Sequence, residues 1–170
     1  MKKKKVNSDV IEHVLTSLVN VTSTKTSKAH ALLTVRALLK KLENNYSFLK
    51  YINITGIDSV LEQSIDDNCE DVLSCMTISK NIDAIDPQEI GGSIQNIVDT
   101  LKNYLGKKAG YYFIREFRDV LGDEYHSIIK NMGVDLRLID LQNELYNLDS
   151  TQYKLKDDDT VNIAYLEKKE

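Results

Sequence analysis

A chain of 170 residues with 42% hydrophobic and 28% charged side chains is sized and composed for one soluble globular domain, which excludes wholesale disorder. One proline and seven glycines argue against long irregular loops and a many-turned all-β fold. Subtracting the four positive charges of Lys2–Lys5 from the formal −4 leaves −8 on the rest, and a body of that sign repels phosphate backbones, so nucleic-acid binding is not expected.

In chain order, residues 1–7 read as a flexible basic tail and 8–170 as a single domain. The first helix is expected from Ser8 or Asp9 to Asn20, with Val10, Ile11, Val14, Leu15, Leu18 and Val19 as its apolar stripe. A hydroxyl-rich connector, Thr22 to Lys28, leads to a second helix over 28–44. Thr26 or Ser27 is its cap, and Ala29, Leu32, Leu33, Leu39 and Leu42 form its buried face. The period then changes to two: Phe48, Lys50, Ile52 and Ile54 alternate with their neighbours, which predicts a strand from Phe48 to Thr55. Residues 57–65 fit a short helix or a strand, Asp66-Asp67-Asn68 reads as a turn, and Val72–Ser79 predicts a second strand.

The stretch Asp86–Gly122 carries the longest helical pattern, with Ile90, Ile94, Ile97, Val98, Leu101, Leu105, Ala109, Phe113 and Phe117 at three- and four-residue intervals. Asp86 caps it and Pro87 suits its first position; one long helix or two hinged at Gly106 satisfy the spacing. Asp123 is expected to cap a helix ending at Gly133, and Asp135 another holding Leu138, Leu141, Leu145 and Leu148 in register. A hairpin over 153–166 closes the chain. These runs predict an α+β fold, predominantly helical, with an antiparallel or mixed sheet of about three to five strands packed against long amphipathic helices. The Asp86–Gly122 stretch is expected to lie across that sheet.

Two neighbourhoods carry chemistry. Lys25, Thr26, Ser27, Lys28 and His30 surround a helix start, where free N–H groups and the helix dipole favour an anion. Lys108, Tyr111 and Arg115, with Tyr104, Tyr112 and Lys107, form the most aromatic and basic stretch, suited to a carboxylate or phosphate. Within it Gly106 and Gly110 lie four apart, which allows close helix approach. The segment YLGKKAGYYFIREF resembles vinyl-reductase-type ligand-binding domains, which often show a glycine, three residues and another glycine on a helix. The zinc-type cysteine sets of some such proteins are absent here. That resemblance implies a small-ligand pocket.

Other chemistries find little support. Cys69 and Cys75 are the only cysteines and their spacing is neither CxxC nor a zinc pattern, so two reduced thiols are expected. The acidic run at 66–71 lacks EF-hand spacing, and His13, His30 and His126 form no HxxxH pair, so no metal and no cofactor is expected. Lys2–Lys5 lead into Val6-Asn7-Ser8-Asp9 rather than an apolar core, and no run nears the roughly 20 apolar residues of a membrane span. A cytoplasmic location without membrane contact is expected. Semi-exposed tyrosine and leucine beside an absent catalytic set favour a non-enzymatic regulatory, sensory or assembly module, working as a homodimer or with a protein partner. The alternative is a small-ligand-binding protein or small enzyme for an anionic or apolar metabolite.

Overall fold

In the computed structural model, which describes residues 4–55, 75–141, 144–145 and 148, the first apolar stripe forms α1, Asn7–Ser23. Val10, Val14, Leu15, Leu18 and Val19 are almost wholly buried along it. Around α1 pack α2 (Lys28–Leu42), α3 (Pro87–Leu105), α4 (Lys107–Leu121) and α5 (Asp123–Asn131). The described chain is thus mostly helical. It carries a small antiparallel sheet, and it divides into two compact units, Met1–Leu136 and Arg137–Glu170.

Asn7, counted with the tail in the sequence, opens α1 and is buried; its side-chain amide donates to the carbonyls of Ile82 (3.2 Å) and Ile85 (2.8 Å). The residue before α1, Val6, supplies no side-chain cap. Asp83, on a 3-10 turn at Lys80–Ala84, supplies the acceptor instead, taking the Ser8 N–H at 2.7 Å. A distant residue thereby satisfies one of the free donors every helix start presents. Ser27 caps α2 as expected, its Oγ accepting the His30 N–H. The buried face of α2 is rotated from the expected one: Ala31, Val35 and Leu38 join Leu32, Leu39 and Leu42, while Ala29 and Leu33 are half-buried.

The expected strand from Phe48 is shorter than its alternation suggested. Phe48 and Leu49 are both buried although adjacent, which a half-exposed strand cannot achieve, and Ser47–Tyr51 is a 3-10 turn instead. The sheet pairs β1 (Ile52–Ile54) with β2 (Met76–Ile78) in antiparallel register, Ile52 opposite Ile78 and Ile54 opposite Met76. Its neighbours include α1, against β2, and α2, against β1. The reading at 57–65 and the hairpin at 153–166 lie outside the described residues. Cys75 is disulfide-bonded, which corrects the expectation of a reduced thiol there.

Asp86 caps α3 through Oδ1, which accepts the Gln88 N–H at 2.8 Å, and Pro87 takes the first turn. Gly106 then splits the long stretch into two helices, with φ +83° and ψ 172°, a region open only to glycine. The two fold back on one another. Gly110 is the contact that allows it, since a Cβ there would lie 2.7 Å from the Lys102 carbonyl oxygen. The stretch therefore packs on itself and on α1 and α2. Ile94, Phe113 and Phe117 are buried within it, as the spacing required. Gly122, at φ +82°, separates α4 from α5 and precedes the first residue of α5, the place expected for Asp123. Residues 136–141, 144–145 and 148 are helical.

Candidate functional site

The apolar stripe of α1 leaves a polar row on another side: Asp9, Glu12, His13 and Thr16 stand three, four and seven residues apart, the spacing of one helix face. Tyr125 from α5 and Lys5 from the segment before α1 complete an open groove of about 380 Å³ around them. Its position follows from the fold, because α5 packs against α1.

His13 fixes the floor. Its Nε2 lies 2.9 Å from the carbonyl oxygen of Leu121, the last residue of α4. A carbonyl only accepts, so Nε2 carries the proton, and in the neutral ring Nδ1 is left as an acceptor. The contact also satisfies one of the orphan carbonyls of a helix end. The ring stacks on Tyr125 with centroids 3.6 Å apart and planes 14° from parallel. Lys5 places its ammonium 5.3 Å from the Tyr125 centroid. Its pKa is raised above the ordinary lysine range, first by the hydrogen bond and charge interaction with Tyr125, with smaller help from Glu124 and Asp9 against slight desolvation. Lys5 therefore stays charged throughout the neutral range.

Thr16 Oγ1 is buried and makes no hydrogen bond to any described residue. Neighbouring hydroxyls on α1 show what it forgoes: Ser17 bonds back to the His13 carbonyl at 2.8 Å and Thr22 to that of Leu18 at 2.7 Å. An unsatisfied buried hydroxyl costs about 1–3 kcal/mol. Asp9 and Glu12 line the groove as acceptors beside His13. The arrangement can receive positive charge and N–H donors. Among the described residues, no group of three or more His, Cys, Asp or Glu is placed to hold a metal ion.

The residues singled out in the sequence lie elsewhere. Lys25, Thr26 and Ser27 form the exposed turn between α1 and α2, and Lys28 and His30 the exposed start of α2. Thr26 Oγ1 donates to the Thr22 carbonyl at 3.0 Å, and Ser27 Oγ occupies the His30 N–H, so that donor is already used by the cap. Lys108, Tyr111 and Arg115 share one face of α4, Tyr111 half-buried and the two cations exposed. Tyr111 meets Tyr112 edge-on with centroids 5.5 Å apart. The structure keeps the two sets on separate elements. What sequence reasoning missed was the row Asp9-Glu12-His13-Thr16, whose helical spacing was visible but whose partners, Lys5 and Tyr125, were not.

No family model matches the chain, and no curated protein or solved structure matches it either. The vinyl-reductase likeness rests on the Tyr104–Phe117 stretch alone. Among the described residues, no helix is long and apolar enough to cross a membrane.

Proposed function

We propose that the chain is a non-enzymatic module acting through protein–protein contacts, and that its first partner is a second copy of itself. The observation that carries this is the leucine row of the second unit. Leu138, Leu141, Leu145 and Leu148 are 54%, 55%, 63% and 61% exposed at positions that are helical. Their spacing of three, four and three residues is that of the a and d positions of a two-heptad seam. Burying one such leucine is worth about 1.5–3 kcal/mol, so a four-leucine row facing its copy is a substantial driving force.

Tyr104 and Tyr112, both exposed on the first unit, suit contacts with further protein partners. The disulfide at Cys75 favours an oxidising setting over the cytoplasm expected from the sequence, since disulfides are rare where thiols are kept reduced. The test of association is sedimentation at micromolar concentration. The wild type is expected at the dimer mass and Leu141→Arg/Leu145→Arg at the monomer mass; a monomeric wild type would sink the proposal.

A further inference from the structure

We propose that the groove between α1 and α5 is a recognition site for a lysine side chain of a partner polypeptide, and that Lys5 occupies it in cis. Two features of the groove select an ammonium. Tyr125 presents an aromatic ring held in place by the His13 stack, and an ammonium already sits over it, at 5.3 Å. The acceptors outnumber what Lys5 supplies: Asp9 and Glu12 line the groove against that single cation, with Glu124 next to Tyr125.

Lys5 is a weakly held occupant. It is fully exposed and lies ahead of the first helical residue, so its ammonium is tethered by a short run of chain and little packing. A lysine presented in trans meets the same ring and the same carboxylates, and must displace it. Removing the Lys5 side chain then frees the site without touching its walls. This inference is independent of the leucine row, which lies on another part of the chain.

The probe is lysine acetylated at its α-amine and amidated at its carboxyl, so that the ε-ammonium is its only charge; the matched norleucine derivative is the control. Both are titrated into the full-length protein and the amide resonances of Glu12, His13, Thr16 and Tyr125 are followed by NMR. The lysine probe is expected to shift these resonances saturably in Lys5→Ala, with an affinity at least about threefold tighter than in the wild type. Asp9→Asn/Glu12→Gln, added to Lys5→Ala, should weaken it by a similar factor while leaving the rest of the spectrum unchanged. Equal response to norleucine, no gain on removing Lys5, or no saturable shift in Lys5→Ala would each overturn the proposal.

Discussion

At Gly91 the fold turns on one missing methyl group. A Cβ built there would come within 1.7 Å of the Met132 carbonyl oxygen, a backbone atom that cannot swing aside. Gly92, its neighbour, would meet only the Tyr46 hydroxyl, at 3.3 Å, the far end of a side chain. Gly91→Ala is therefore expected to destabilise the protein by about 1–3 kcal/mol, since α3 or the turn after α5 has to move, whereas Gly92→Ala should cost less. Urea denaturation of the two variants checks the contrast, and equal midpoints would contradict the close approach. Nothing in the local pattern marks this difference. Both glycines sit in an apolar helical stretch, and which of them faces backbone depends on where Met132 arrives. The same holds for the groove: the row on α1 could be read from its spacing, but Tyr125 reaches it only through the packing of α5 on α1.

Helices were legible as elements because their caps and periods are local. Ser27 and Asp86 cap where their side chains predict, and the apolar stripe of α1 is buried almost residue for residue. Strand length was less legible, since Phe48 alternates correctly yet shares its burial with Leu49, and only the surrounding core decides between strand and turn. The hinge at Gly106 is the clearest case of a local requirement. No described atom lies within 4 Å of a Cβ built there, so an added methyl meets no clash and its whole cost is backbone conformation. Gly106→Ala is expected to lose about 1–3 kcal/mol for that reason. Circular dichroism should show the helical content nearly unchanged while the melting temperature falls. An unchanged melting temperature would mean that the chain reaches another turn at no cost.

For the whole molecule, the decisive question is where apolar surface is left over. The first unit buries its stripes against α1, and residues such as Leu15, Val35, Ile94, Ile114 and Phe117 retain almost no exposure. The second unit leaves four leucines in a row more than half exposed. Loss of solvent around those leucines can come from a second copy, and mass action then ties stability to protein concentration. The melting temperature of the wild type is expected to rise with each tenfold increase in concentration across the micromolar range. Leu141→Arg/Leu145→Arg should melt at one temperature throughout, because two arginines at d and a positions place like charges in the seam. The core of the first unit contains neither leucine, so the variant should keep its cooperative transition. A concentration-independent melt in the wild type would show that the leucine row does not join copies, and would leave the contact role to partners of another kind.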